Sequence, residues 1–492
     1  MMQEHLSIFL VILPLVAAPI VAIMPRGRYA WAFSFVVAMV CAVIAGQQLW
    51  SVTHHGVISY ALGGWAPPWG IEYRIDSVNA FIAVIIAGIA AITLPYALLS
   101  VEKEIPEHKQ PLFYSAFLLC FAGLLGITQT GDIFNVFVFL EISSLSTYAL
   151  ISMGQKRQAL TSAYQYLIMG TLGATFFLIG VGLLYSQTGT LNMMDLAKLL
   201  PDVVGLKTVH TGFAFILIGI ALKLALFPLH LWLPNAYTYA PTVITVFLAA
   251  TATKVAVYVM LRILFTIFPD GFVAASPAGD LFIILGIAGV IIASVYAIYQ
   301  TNVKRLLAYS SVAQIGYIAL GIGFATSLGL TASIVHLFNH ALMKGALFMA
   351  VGAIIYRIGT SHISELNGLG RKMPWTFAAI IIAGLSLIGV PGTAGFISKW
   401  YLVLAALEQQ AWFAVAIILL GSLLAVIYIG KIVETLYFKP AKEKQTTIQE
   451  APILLLAPTW LLVIANIYFG LNTELTVGIA EQAVQALVGT PK

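Results

Sequence analysis

The stretch ALKLALFPLHLWLPNA, Ala221–Ala236, decides the fold. Lys223 sits about midway along the apolar run 211–232, Pro228 follows five residues later, and Pro234 six after that. A lysine at membrane depth costs roughly 2.5–3.5 kcal/mol on insertion scales. A proline inside a helix frees a backbone carbonyl, which water or a neighbouring group must then satisfy. Both costs in one segment point to a polar cavity inside a bilayer. The alternative is a proline-kinked span whose lysine snorkels to an interface. Buried charges elsewhere in the chain favour the cavity.

The composition places this stretch in a membrane protein. The chain has 492 residues, 61% hydrophobic and 9% charged, against about 25% charged in an average soluble domain. The formal charge of +5 is no nucleic-acid signal, because the basic residues are scattered through short loops without a long run. The two cysteines, Cys41 and Cys120, lie in apolar runs and cannot supply a four-thiolate cluster; a CxxCH haem signature is absent. No cofactor, metal or catalytic chemistry is expected in this chain. Met1–Met24 has the look of a signal sequence, but Pro19 and the arginines after it suit a retained first span.

Fourteen apolar runs are long enough to cross a bilayer. Numbered as spans one to fourteen, they cover 6–24, 30–50, 77–99, 111–130, 132–152, 161–186, 211–232, 241–266, 279–299, 303–324, 330–356, 374–404, 411–437 and 450–471. The expected fold is all-α and polytopic. The largest loops, 51–76 and 187–210, carry Gly, Pro or Asp turn signals. Loops after even-numbered spans, with the C-terminus, hold five basic residues: Arg74, Lys198, Lys207, Arg262 and Lys492. Loops after odd-numbered spans hold fifteen, and four lysines lie inside spans. That bias puts the odd loops in the cytoplasm and both termini outside.

Span twelve repeats the ingredients of span seven. It reads Gly389-Val-Pro391-Gly392-Thr-Ala-Gly395 and then Phe-Ile-Ser-Lys399, so glycines and a proline interrupt a helix and a lysine follows. Five spans separate the two, and an odd offset reverses direction. Paired interrupted spans of opposite direction are the mark of an inverted-repeat transporter with its site near the midplane.

Titratable residues lie on five separate spans. Glu141 is in the middle of span five, where an unpaired carboxylate is strongly disfavoured, and Lys223 is the expected partner. A static pair that fixes helix packing is the other reading. Lys254 is near the centre of span eight; Arg262, eight residues on, is expected to snorkel and receives no transport role. Span eleven places His336, His340 and Lys344 at i, i+4 and i+8, a stripe about 12 Å long. Without a glutamate in an HExxH pattern, that stripe suits proton relay better than zinc. His230, in the break of span seven, either extends a relay or caps freed carbonyls. With Lys399, these groups predict a hydrated polar axis across the bundle. Burial disfavours a charged lysine and a nearby carboxylate favours it, so separating Glu141 from Lys223 would promote proton release.

Several motifs carry a family resemblance: GGWAPPWGI at 63–71, the Glu141 span, LKLALFPLHLWLPNAYTYAP at 222–241, TKVAVYVMLR at 253–262, HLFNHALMKGALF at 336–348 and PGTAGFISKW at 391–400. Together they resemble the proton-translocating subunits shared by Mrp-type cation/proton antiporters and respiratory complex I. The resemblance covers roughly spans three to thirteen. It implies two inverted five-helix repeats, helices four to eight over 111–266 and nine to thirteen over 279–437, flanked by 1–110 and 450–492. It also implies that Glu141 and Lys223 are the functional pair, that Lys254, His336, His340 and Lys344 connect the halves, and that Lys399 is the second proton carrier. The expected partners are other membrane subunits, the bilayer, protons and Na+. The chain ends soon after span fourteen, unlike the L-type complex I subunit, and is short for the large A-type antiporter subunit. M-type subunits usually carry glutamate at the Lys399 position. The D-type antiporter subunit is the first expectation, with a complex I N-type or hydrogenase-complex relative as the alternative. The bacterial cytoplasmic membrane is the expected location.

Overall fold

The computed structural model describes residues 2–440 and 448–488, with side chains from residue 5 onward. Lys442, Lys444 and Lys492, counted in the loop charge bias, lie outside the described residues. Thirteen helices among the described residues are long and apolar enough to cross a membrane, and each coincides with one of the runs read from the sequence. Span twelve is the fourteenth crossing. It is divided into Pro374–Ile388 and Ala394–Glu408, each about 22 Å long at 1.5 Å per residue and therefore short of the roughly 30 Å hydrocarbon core.

Span seven breaks as its sequence requires. The helix Lys207–Leu224 stops at Ala225, whose φ of 59° is left-handed, and helix resumes at Trp232–Tyr239. A left-handed alanine costs about 1–2 kcal/mol. The turn offsets this cost by closing a Leu226 N–H bond to the Ala221 carbonyl at 3.0 Å. Pro234 does not interrupt anything. It falls in the first turn of the second piece, where no intrahelical N–H bond is needed.

Span eight has an interruption with no glycine or proline to announce it. Thr242–Ala250 and Ala252–Arg262 meet at Thr251, with φ −127° and ψ −56°. The Thr251 hydroxyl donates to the Phe247 carbonyl at 2.7 Å, a back-bond that bends helices.

The two halves share a tie between chain segments far apart in sequence. In the first half, Ile133 N–H donates to the Leu191 carbonyl and Met193 N–H to the Gly131 carbonyl, both at 2.9 Å. In the second half, Val303 donates to Ser361 and Ile363 to Thr301, also at 2.9 Å. Asp132 and Asn302, at matching places in the two ties, each cap the following helix through a side-chain oxygen. The tied turns follow spans four and nine. Five crossings separate them, so they lie on opposite membrane faces, which is the geometry of an inverted repeat.

Both large loops contain regular structure that their turn signals did not reveal. Ile58–Ala61 and Glu72–Ile75 pair as an antiparallel hairpin around the GGWAPPWGI motif. Met193–Val203 is a helix capped by Asn192, with Met193, Leu196 and Leu200 buried. After span fourteen a further helix, Glu474–Val488, buries Val477, Ala480, Val484 and Leu487. That i, i+3, i+7, i+10 spacing is one helix face.

One sequence expectation is overturned. Arg262 does not snorkel. It is buried at 6% exposure and donates to Asp76 at 2.5 Å and to the Tyr258 hydroxyl at 3.2 Å. Asp76 caps span three by accepting from Val78 and Asn79 N–H groups. A fixed carboxylate was thus available within reach, and pairing won over the interface. Lys304 differs in the same way. Counted among the loop charges, it is buried and donates to the Ala240 carbonyl at 2.8 Å.

Candidate functional site

The expected pair forms. Glu141 projects from the middle of Ile133–Ser152, and its carboxylate stands 3.6 Å from Lys223 Nζ. Lys223 also donates to the Ser144 hydroxyl at 2.5 Å. Glu141 and Ser144 are three residues apart, so one face of span five presents both acceptors. Lys223 can sit here because its helix ends one residue later. The carbonyl of Leu222, next to it, is satisfied by the indole N–H of Trp232 at 2.9 Å. That ring stacks on Tyr166 with centroids 3.9 Å apart. His230 lies in the break with its Nδ1 buried and without a hydrogen-bond partner, and its ring lies against Phe227.

Lys254 follows the kink in span eight, and its Nζ donates back to the Ala249 carbonyl at 2.5 Å. The kink frees that carbonyl, so the cation and the interruption satisfy each other. Between the Lys223 side chain and this helix lies a cavity of about 30 Å³, walled by Ser143, Ser144, Thr147, Ala252 and Ala256. A cavity of that size can hold a water molecule, and its hydroxyl walls offer the polar partners.

Span eleven is one unbroken helix, Ser327–Ile358, and all three of its expected residues are buried. The His336 and His340 rings stack with centroids 6.1 Å apart and 14° between planes. Lys344 donates to the Leu307 carbonyl at 2.9 Å and to the Ser310 hydroxyl, both on span ten. At the other end, His336 Nδ1 is 2.8 Å from the hydroxyl of Ser398, the residue before Lys399.

Lys399 occupies the break of span twelve. Gly389, at φ 92°, turns the chain out of the first piece, and a side chain at Gly395 would strike the Ser386 carbonyl, 1.8 Å from an ideal Cβ. The turn leaves the Leu387 and Ile388 carbonyls without helical partners. Lys399 Nζ donates to both, at 3.1 and 2.9 Å, and to Ser422 at 3.0 Å. Its Nζ also lies 4.8 Å from the centroid of the Tyr317 ring. Among the described residues no carboxylate forms an ion pair with it.

The structure therefore brings together Glu141 with Lys223, His336 with His340, and His336 with the Lys399 break. Ser144, Ser310, Ser398, Ser422, Trp232 and Tyr317 complete these contacts. Sequence reasoning missed them because serine and aromatic residues inside spans are too common to stand out.

Fold and site together define a polytopic membrane protein whose buried lysines and histidines are held by breaks in its own helices. The family described as "NADH:quinone oxidoreductase/Mrp antiporter, TM" matches residues 130–425. The N-type subunit of NADH-quinone oxidoreductase from Desulforudis audaxviator is 40% identical, covering 96% of this chain and 97% of that one. The D-type subunit of the Na+/H+ antiporter from Bacillus subtilis is 29% identical over 100% of this chain and 98% of the relative. Among solved structures, a chain of the Mrp complex from Dietzia sp. superposes with a TM-score of 0.90 at 26% identity, covering 99% of this chain and 98% of its own. The chain belongs to the NADH:quinone oxidoreductase/Mrp antiporter transmembrane family. It is a multi-pass membrane protein, and its structural relatives work as subunits of larger membrane complexes.

Proposed function

We propose that the chain is the proton-translocating D-type subunit of a multisubunit Na+/H+ antiporter. Protons move along a relay of Glu141, Lys223, Lys254, Lys344, His340, His336 and Lys399, with Lys344 anchored on span ten. The observation that carries this reading is the Glu141–Lys223 pair at 3.6 Å. It joins an amine and a carboxylate from two different spans, yet can open, because Lys223 already has Ser144 as a second partner. The repeats span 111–266 and 279–437. The charge bias of the loops supports a cytoplasmic face for the odd-numbered loops and outside termini, in a bacterial cytoplasmic membrane.

A second reading, the proton-pumping arm of an NADH:quinone oxidoreductase or related redox complex, is favoured by the higher identity to an N-type relative. One experiment separates the two. Membrane vesicles containing the assembled complex are given a pH gradient and then Na+, without any redox substrate. Collapse of the gradient on Na+ addition is the expected result. Proton movement that starts only on addition of NADH and quinone would replace the first reading by the second. For the topology, single cysteines placed at 102–110 and at 359–362 should be shielded from an impermeant reagent in intact cells; labelling of both would invert it.

A further inference from the structure

We propose that Tyr317 is a gating and positioning residue for the last transfer of the relay, seating the Lys399 ammonium on its ring and keeping water out of the gap to His336. This inference rests on the relay reading above.

Tyr317 lies on span ten, is 2% exposed, and belongs to none of the motifs that mark the chain. Two relay residues from two other helices meet its ring. Lys399 Nζ stands 4.8 Å from the ring centroid. The His336 ring stands 5.8 Å away at an interplanar angle of 64°. The hydroxyl reaches towards the Ile418 carbonyl of span thirteen, at 3.5 Å. Span thirteen makes room for it with Gly421, where an added Cβ would come within 2.3 Å of the phenol oxygen. The next residue, Ser422, binds Lys399 Nζ at 3.0 Å. Span thirteen thus meets both the phenol, through the Ile418 carbonyl, and the lysine, through Ser422.

The chemistry of an aromatic face discriminates between the two states of the amine. The face attracts an ammonium and offers no comparable attraction to a neutral amine. It also carries no atom that can pass a proton. The hydrogen-bonded link from His336 towards the break runs instead to the Ser398 hydroxyl. In the transfer, the His336 imidazolium gives up its proton on the side where it meets the Ser398 hydroxyl, and the neutral Lys399 amine gains one. Imidazole and ammonium result, and total charge is conserved. The new ammonium stands against the Tyr317 ring, which stabilises it there. Without the ring, the space it fills lies between polar groups, and water would occupy it. A water bridge there would let protons pass in both directions.

The test compares Tyr317→Phe, Tyr317→Ala and Gly421→Ala, with Lys399→Gln as reference, in vesicles normalised to assembled complex. Two quantities are read: Na+-driven proton flux, and passive decay of an imposed pH gradient without Na+. Tyr317→Phe keeps the ring and should retain most of the driven flux. Tyr317→Ala should lose about thirtyfold in driven flux, the factor that a buried cation–π contact is worth, while passive decay becomes faster than wild type. Gly421→Ala, which displaces the phenol, should move both quantities the same way. If Tyr317→Ala does not assemble, Tyr317→Leu takes its place. Wild-type passive decay in Tyr317→Ala, or equal loss of driven flux in Tyr317→Phe, would overturn the gate while an inactive Lys399→Gln still upholds the relay. Full driven flux in Lys399→Gln would sink the relay itself.

Discussion

Lys399 Nζ stands 2.9 Å from the carbonyl oxygen of Ile388, the last residue of the helix Pro374–Ile388. The open end of a helix carries about half a negative charge. That end, with Ser422 and the Tyr317 face, does for Lys399 what the Glu141 carboxylate does for Lys223. In the second half, the place equivalent to Glu141 is Ser311, by the same offset that relates Ile133 to Val303. The two halves therefore hold their lysines with different devices. A carboxylate can swing away and remove its whole charge. A helix terminus cannot move without unwinding, so Lys399 sits in a fixed field and is the static member of the pair.

Lys399 substitutions test this difference. Lys399→Ala should abolish net proton movement while the complex assembles, at a loss of about 1–3 kcal/mol for each of the two carbonyls left unpaired. Lys399→Gln keeps an N–H donor for the Ile388 carbonyl but carries no proton, so it should be more stable than alanine and equally inactive. Lys399→Glu can still titrate, yet faces two carbonyl oxygens, so it should retain only part of the flux. Proton flux in vesicles, set beside thermal unfolding of the purified complex, separates the stability effect from the transport effect.

Glu141 and Lys223 should behave as one unit. Glu141→Ala and Lys223→Ala should each cripple transport, and the double variant should lose little more than either single one. Coupling between contacting charges runs to about 0.5–3 kcal/mol. Losses that simply add in assembled complexes would reduce the pair to a packing contact.

Span eleven gives a graded outcome. Lys344→Ala should impair flux more than His336→Ala, because water can bridge a missing imidazole but cannot store a proton as an amine does. Lys344→Ala also strands the Ser310 hydroxyl and the Leu307 carbonyl. Near-wild-type flux in His336→Ala, His340→Ala and Lys344→Ala alike would return the stripe to a structural role.

Arg262 should prove structural. Arg262→Leu leaves the buried Asp76 carboxylate without its cation, a change worth about 3–5 kcal/mol, and it strikes a residue that also caps span three. The amount of assembled complex should fall sharply. Pairing the change with Asp76→Asn, whose side-chain oxygen still accepts at the cap, should restore much of it. Normal assembly with selective loss of transport in Arg262→Leu would instead assign the arginine to the proton path.

How much of this was legible in the sequence depends on the range of the forces involved. Crossings are set by runs of apolar residues matched to bilayer thickness, so all fourteen could be read directly. The breaks at Pro228 and at Gly389–Gly395 were legible because proline and glycine act on the local backbone. The break at Thr251 was not, because a threonine inside a helix bends it only when its hydroxyl takes the carbonyl four residues back. The Glu474–Val488 helix leaves a trace in its apolar spacing, but it is too short to cross a bilayer and no membrane-length run marks it.

The sequence by itself determined which residues are too costly to bury alone: Glu141, Lys223, Lys254, His336, His340, Lys344 and Lys399. Only the tertiary structure decided what each one is buried with. Arg262 found Asp76, 186 residues away in sequence. Lys399 found the open end of its own broken helix and an aromatic ring from span ten. Desolvation cost is a property of the side chain and its depth, so composition and periodicity report it. The partner that offsets that cost is set by which helix faces meet after packing, and no local pattern records it.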